Sequence, residues 1–461
     1  MTDPITIQNV IFSYQAHQPV LQLADLTIPR GSFTLLYGPS GSGKSTLLRL
    51  LAGLLPKYGG HLNAQAAINL APQETAMLFQ DPSLQFALDT PQHEAEFALE
   101  NLQVHRHQMR HRIRDAFATV GISDLADRQF ATLSGGEKQR AALAVVIAMH
   151  RPVILLDEPF ASLDAKNRAL LLAQLQAQVV AGKTVIIADH DLANYQAVQP
   201  QIIRFDRAHQ ATQLPEAAAQ ALLTAAAQPI ALPTQAARTW PAAIVGRKLV
   251  LDRPHQRLLD QANCQIPANK ITLLTGESGS GKSTLLKCLA KLVPYQGELT
   301  LQGRSLQKYR PRQWGRQVGL VFQHAADQFL NVTMAEELAL SQAQGRHPYF
   351  TPANLTAAID LLGLTGLADR VVYSLSGGQQ KKLQLLVMLM MGQPVLLLDE
   401  PFAGLDAASA QAVRQLITAC QAVQPATIIV VSHQLAGLAG WVDCHLHLSH
   451  QQLQDLAEVR S

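Results

Sequence analysis

The chain has no apolar run approaching the roughly 18 uninterrupted residues that a membrane helix needs. Its richest stretch, Leu385 to Leu398, is broken by Gly392, Gln393 and Pro394, so no bilayer span is expected. The start, Met1 to Val10, contains Asp3 and Pro4 and has no charged segment leading into an apolar one. It therefore does not read as a secretory signal, and a cytosolic location is expected. Cysteine is scarce: Cys264, Cys288, Cys420 and Cys444 all lie in the second half, with no CxxC spacing. That excludes a zinc ribbon, an iron–sulfur cluster and a dithiol redox pair, and leaves buried reduced thiols as the expectation. Charge is sparse too, at 15% against the usual quarter or so. Lys+Arg 37 against Asp+Glu 34 leaves +3, too balanced for a nucleic-acid footprint, and no nucleic-acid partner is expected.

What the chain does have is length and repetition. At 461 residues it exceeds the usual single domain of about 100 to 200, so two or more compact units are expected. The segment GPSGSGKSTLLRLLAGLLP from Gly38 recurs as GESGSGKSTLLKCLAKLVP from Gly276. Later matches keep nearly the same shift: Phe79 and Gln80 with Phe322 and Gln323, LSGG from Leu133 with Leu375, LLDEPF from Leu155 with Leu397. Ser134 precedes Asp157 by the same interval as Ser376 precedes Asp399, so a whole domain is duplicated.

Each copy reads as strand, glycine-rich turn, helix, helical insert and buried strand (Pro152 to Asp157; Pro394 to Asp399), then an apolar strand ending at His190 or His433. Alternation of strands and helices predicts an α/β fold with a mainly parallel sheet flanked by helices. The stretch 208–241, rich in Ala, Gln and Pro, reads as a linker or short helical tail. The expected domains are 1–207 and 242–461.

Two segments fit GxxxxGK[ST]: Gly38, Pro39, Ser40, Gly41, Ser42, Gly43, Lys44, Ser45 and Gly276, Glu277, Ser278, Gly279, Ser280, Gly281, Lys282, Ser283. Glycines let backbone N–H groups approach phosphate oxygens, and the following helix N-terminus, beginning with Thr46 or Thr284 close behind, adds about half a positive charge. Lys44 and Lys282 are expected on the β- and γ-phosphates, and Ser45 and Ser283 on Mg²⁺. A chance match occurs in roughly one chain in a hundred of this length, so two in context make ATP binding the reading. Asp157 and Asp399 arrive at strand ends beside these loops, suited to the Mg²⁺ shell. Glu158 and Glu400 follow as candidate general bases, although a DE pair alone is usually solvated loop.

Kinases, GTPases and helicases share those features, and LSGGEKQR from Leu133 and LSGGQQKK from Leu375 decide between them. With these motifs almost the whole of both halves resembles the ATP-binding-cassette (ABC) ATPase family, as two tandem P-loop NTPase domains. The resemblance implies that each signature faces the opposite phosphate loop. One site would combine Lys44, Ser45, Gln80, Asp157, Glu158 and His190 with Ser376, Gly377, Gly378 and Gln379. The other would combine Lys282, Ser283, Gln323, Asp399, Glu400 and His433 with Ser134, Gly135, Gly136 and Glu137. By the same resemblance Gln80 and Gln323 sense Mg²⁺ and water, the two histidines contact the γ-phosphate, and Asp164 and Asp406 couple the sites. Both sites keep every residue type, so both are expected to hydrolyse ATP.

Two departures stand out. Tyr14 occupies the place where the family stacks an aromatic ring on adenine, whereas the P-loop shift puts Asp252 there in the second half, with Arg253 next to it. A lost stack costs about 1 to 3 kcal/mol by analogy with single-stranded nucleic acids, so weaker nucleotide binding is expected at the second loop. Glu137 replaces the usual Gln and adds charge.

FQDPSLQF from Phe79 and FQHAADQF from Phe322, followed by TPQHEAEFALEN from Thr90 and TMAEELAL from Thr333, are similar to the ATPase subunits of energy-coupling factor (ECF) transporters, importers of vitamins and metal ions. This implies a peripheral protein on the cytoplasmic face of the membrane. Its partners would be an integral scaffold, whose coupling helices carry Arg, and a substrate-binding membrane subunit. Glu94, Glu96, Glu336 and Glu337 would receive those arginines, although a solvated helix face is an even alternative for any one of them. Other ABC importers and exporters, or a soluble two-cassette protein acting on ribosomes or DNA, are the competing classes. The soluble class predicts a charged connector, a basic surface or a cysteine cluster.

Overall fold

The computed structural model describes residues 3–15, 18–160, 163–228, 232–233, 237–253 and 256–456. Contacts divide the chain into two compact units, Met1–Gln228 and Pro229–Ser461. The first unit thus runs past residue 207. Ala211–Gln213 pairs as an edge strand with Gln201–Phe205, and helix Glu216–Ala226 buries Ala219 and Leu223 in the first core, so only the later part of 208–241 can act as a connector.

In the first unit a six-stranded sheet runs Ala211–Gln213, Gln201–Phe205, Phe33–Tyr37, Thr184–Asp189, Val153–Asp157, Thr75–Leu78. All but the first of these strands are parallel. The strands are short and apolar on both sides because both faces are covered. Along Val153–Asp157, Ile154 and Leu156 enter a core shared with the helical insert, while Val153 and Leu155 enter a second core. That second core is closed by the phosphate-loop helix Lys44–Leu51 and an antiparallel sheet built on Ile5–Gln15 and Gln18–Ile28. The second unit repeats the plan. Its sheet runs Val318–Val321, Val395–Asp399, Thr427–Val431, Ile271–Gly276, Cys444–Ser449, Gln452–Asp455, with an antiparallel sheet on Ala242–Arg253 and Gln256–Pro267.

The signature helices, Gly135–Ala148 and Gly377–Met391, are apolar around most of their circumference. Such a helix must be buried, and both lie inside the cores of their units. Cys288, Cys420 and Cys444 are buried and free, whereas Cys264 is half-buried. Among the described residues no helix is long and apolar enough to cross a membrane.

Candidate functional site

Each phosphate loop sits where its parallel strand gives way to a helix. Gly43 and Gly281 hold φ of 103° and 110° as the N-cap residues of helices Lys44–Leu51 and Lys282–Leu289. A Cβ on Gly43 would lie 2.6 Å from the Val20 carbonyl oxygen, so both conformation and space demand glycine. Lys44 Nζ donates to the Gly38 and Pro39 carbonyls at 2.8 Å, and Lys282 Nζ to those of Gly276 and Glu277 at 2.9 Å. Both ammonium groups are therefore held over their own loops. Ser45 Oγ donates to Asp157 Oδ1 at 2.8 Å and Ser283 Oγ to Asp399 Oδ1 at 2.9 Å. In each unit the structure thus brings the loop serine and the strand-end aspartate together.

Glu158 and Glu400 have φ of 45° and 50°, a left-handed conformation that is strained for a side-chain-bearing residue. Their amides still bond to the neighbouring strand, to Ala188 O at 2.9 Å and Val431 O at 3.0 Å. The backbone kink turns each carboxylate away from the strand's alternation; no sequence period signals it.

Around these carboxylates the two units differ. Glu158 Oε2 accepts from Gln80 Nε2 at 3.0 Å, and Oε1 lies 3.3 Å from His190 Nδ1. Burial works to raise the Glu158 pKa, but the His190 hydrogen bond and charge, together with Lys44, outweigh it and hold the group below its usual value. His190, against the lowering effect of burial, is pushed up to about 8 by Glu158, Asp189 and Asp191. Burial raises Asp157 to about 6, partly countered by Ser45. In the second unit Glu400 Oε2 accepts from the His433 amide at 3.2 Å, and His433 Nε2 is 3.6 Å from Oε1. Burial, only partly offset by that amide, pushes Glu400 up to about 8. The two carboxylates are thus shifted in opposite directions, Glu158 downward by its His190 partner and Glu400 upward by burial.

The signature serines cap their helices. Ser134 Oγ accepts from the Glu137 amide at 3.4 Å, while Glu137 Oε2 takes the Ser134 amide at 2.7 Å and its hydroxyl at 2.8 Å. Ser376 and Gln379 form the same reciprocal box. Glu137 thus does the work of Gln379 and additionally engages the serine hydroxyl. Asp164 and Asp406 cap the helices Ala165–Val180 and Ala407–Val423.

Two sequence expectations are corrected, on the adenine platform and on the acidic residues of the inserts. Tyr14 OH lies 3.4 Å from Thr46 Oγ1, and the residue in the matching place beside Thr284 is Arg253, whose Nη2 donates to Thr284 Oγ1 at 2.9 Å. Asp252 instead receives Arg257 Nε at 3.1 Å. An aligned count missed this because the strand turn and the phosphate loop do not keep one spacing. Next, the glutamine of each QF pair is internal: Gln85 Oε1 and Gln328 Oε1 accept from the Phe79 and Phe322 amides at 3.2 Å, closing the FQ loop on itself. Finally, Glu94 and Glu337 are buried and hold local loops. Glu94 Oε2 takes the amides of Ala87 and Leu88, and Glu337 Oε2 those of Leu330 and Asn331. Glu96 accepts from Gln92, and Glu336 caps at Thr333. Near the FQ loops the inserts expose apolar residues, Leu84, Leu88 and Phe97 in one unit and Leu330, Val332 and Leu340 in the other, among charged ones such as Asp81, Asp89, Asp327 and Glu336.

Sequence reasoning also passed over a buried charge network in the first unit. Arg168, on the helix capped by Asp164, donates to Asp191 Oδ2 at 2.7 Å and Asp189 Oδ2 at 3.2 Å, and Tyr195 OH to Asp189 Oδ2 at 3.1 Å. Asp189 Oδ1 in turn takes the His190 amide at 2.7 Å. The network fixes the segment carrying His190. An Asp flanking His190 on each side was its only sequence signal.

Two phosphate loops on parallel strands, each with a serine–aspartate pair and an adjoining Glu–His pair, define a duplicated nucleotide-hydrolysing fold. The family model described as ABC transporter matches residues 21–161 and 259–403. The chain belongs to the ABC transporter family as two fused ATPase cassettes, and it binds and hydrolyses ATP. Among its relatives, one provisionally named as the HMP/thiamine import ATP-binding protein YkoD of Bacillus subtilis (strain 168) is 29% identical, covering 96% of this chain and 89% of its own length. An ABC transporter ATP-binding protein, also provisionally named, of Streptomyces avermitilis is 30% identical, covering 94% of this chain and 90% of its own. Among solved structures, the archaeal ribosome recycling factor aABCE1, in complex with ribosomal stalk protein aP1, superposes with a TM-score of 0.67 at 19% identity, covering 98% of this chain and 90% of that one. At that identity the likeness concerns the fold.

Proposed function

We propose that the chain is the ATP-hydrolysing motor subunit of an ECF-type membrane importer, held at the cytoplasmic face by an integral scaffold that works with a separate substrate-binding membrane subunit. The observation that carries this is the exposed apolar set beside the FQ loop of each unit, Leu84, Leu88 and Phe97 in the first and Leu330, Val332 and Leu340 in the second. Exposed apolar groups of this kind mark a docking surface when they gather on one element. The transport names of the full-length relatives support the same reading, and the HMP/thiamine name of one of them favours a vitamin as cargo.

In the proposed mechanism the loop amides, Lys44 and Lys282 bind and orient the phosphates. Mg²⁺ fits the serine–aspartate pairs: Asp157 and Asp399 are buried carboxylates whose pKa values burial raises, as expected of groups suited to a cation. Ser45, Gln80 and Asp157, or Ser283, Gln323 and Asp399, would hold the ion, which neutralises phosphate charge when bound. Glu158 accepts a proton from the attacking water as its oxygen bonds to the γ-phosphorus; the bond to the ADP oxygen breaks, giving ADP and phosphate. His190 and His433 stand against these carboxylates and donate toward the γ-phosphate. Tyr14 stacks on adenine, and Arg253 lies flat on the base at the second loop. The resemblance assigns Ser376, Gly377, Gly378 and Gln379 to the nucleotide of Lys44, and Ser134, Gly135, Gly136 and Glu137 to that of Lys282; that pairing is part of the proposal.

The test replaces Leu84 and Leu330 together by Asp in the tagged full chain. Loss of at least tenfold of the co-purifying membrane scaffold, with ATP turnover retained by the detached protein, is the expected result. Undiminished scaffold recovery would remove the inserts from the docking surface.

A further inference from the structure

The first and second cassettes carry different residues at two buried positions of their signature helices. Five residues after Ser376 stands Lys381, where the first cassette has Gln139 after Ser134; eight residues after stand Gln384 and Ala142. Lys381 is 4% exposed and Gln384 0%. Lys381 Nζ donates to the Phe322 carbonyl at 3.0 Å, to the Gln323 carbonyl at 2.8 Å and to Gln384 Oε1 at 3.2 Å. Gln384 Nε2 donates to the same Phe322 carbonyl at 3.0 Å and to Gln328 Oε1 at 3.2 Å. The FQ loop of the second cassette is thus tied to its signature helix by four hydrogen bonds, two of them from a cation.

Among the described residues no comparable tie holds the first FQ loop. Gln139 is equally buried, yet its Nε2 has no hydrogen-bond partner, and Ala142 has none to give. There the loop is reached from the other side, by Gln80 bonding to Glu158. Among the described residues the Gln323 side chain makes no hydrogen bond to Glu400. A buried ammonium is costly to desolvate, and the sister cassette shows that the helix packs with glutamine in its place. What the lysine supplies is therefore the charge-assisted grip on two loop carbonyls, not the packing of the helix.

We propose that Lys381, with Gln384, is a positioning residue of the second cassette that latches the FQ-loop backbone to the signature helix, so that Gln323 is presented to its site as that helix moves. The loop joins strand Val318–Val321 to the helical insert, so the latch couples a movement of the insert to the hydrolysis site. The inference rests on the reading of Gln323 as a group of that site, and the two arms of the test separate the tie from that role.

The test compares the full chain with Lys381→Gln and Gln384→Ala, each introducing the sister cassette's own residue and so compatible with folding. Hydrogen exchange of the amides from Phe322 to Phe329 is expected to quicken at least tenfold in Lys381→Gln and less in Gln384→Ala, with strand Val395–Asp399 unchanged. Steady-state ATP turnover is expected to fall to half or less in kcat, with KM within twofold, and Lys381→Arg to recover most of both. Unchanged loop exchange would overturn the tie. Unchanged kcat with quickened exchange would overturn the role in hydrolysis, and faster exchange throughout the second cassette would reduce Lys381 to a stabilising residue.

Discussion

Glu158 and Glu400 occupy matching places and carry opposite charge tendencies, and the cause is what each carboxylate touches. Glu158 has an imidazole nitrogen at 3.3 Å and an amide donor at 3.0 Å; Glu400 has one backbone amide and a more distant ring. A pH dependence follows. His190 has a folded pKa of about 8, above the ordinary value of about 6.5, so its pairing stabilises the protein fully below pH ~6.5 and is lost as pH rises through about 8. The difference is worth about 2 kcal/mol in a group this deeply buried. Denaturant unfolding of the nucleotide-free first unit in the full chain, with chelator present, should lose that amount between pH 6.5 and 8.5. In Glu158→Gln, where the imidazole loses its nearest carboxylate and keeps only the weaker influence of Asp189 and Asp191, the slope should flatten; an unchanged slope would show that another group titrates. None of this was legible in the sequence, where DEP and the later His look alike in both halves. Residue types could be read; the left-handed backbone at Glu158 and Glu400 and the ring orientations could not, because they arise from contacts far apart in the chain.

At the scale of elements, sequence patterns read strands and phosphate loops well because burial on both faces and glycine geometry leave local marks. Val153–Asp157 is apolar at every position before its aspartate, and Leu156, fully buried, faces the helical insert. Leu156→Ala should lower stability by about 2 to 5 kcal/mol in equilibrium unfolding, since the strand is pinned on both sides and the cavity cannot collapse. A loss below about 1 kcal/mol would mean that the core relaxes around the site. The helical inserts were less legible. The QF pairs and acidic residues were visible, but whether a glutamate faces a partner or fastens its own loop depends on where the preceding turn brings its amides. Glu94 and Glu337 proved to be fasteners, leaving the apolar neighbours exposed. The stretch 208–241 could be read as a linker or as a short helical tail because Ala-rich sequence is compatible with both, and its helix buries only Ala219 and Leu223.

At the scale of the whole molecule, duplication has produced two cassettes with the same catalytic residue types and different supports. The first holds its histidine segment with the Arg168 network and Glu158 with Gln80; the second holds its FQ loop with Lys381 and Gln384. The central claim is that hydrolysis depends on Glu158 in the first cassette and Glu400 in the second. Its most direct test is single-turnover ATP hydrolysis by the full chain carrying Glu158→Gln, Glu400→Gln or both. The double variant should be slowed by about 10²- to 10⁴-fold, the usual span for losing a general base, with each single variant intermediate or as slow if the sites act together. A double variant that keeps half or more of the wild-type rate would contradict the account.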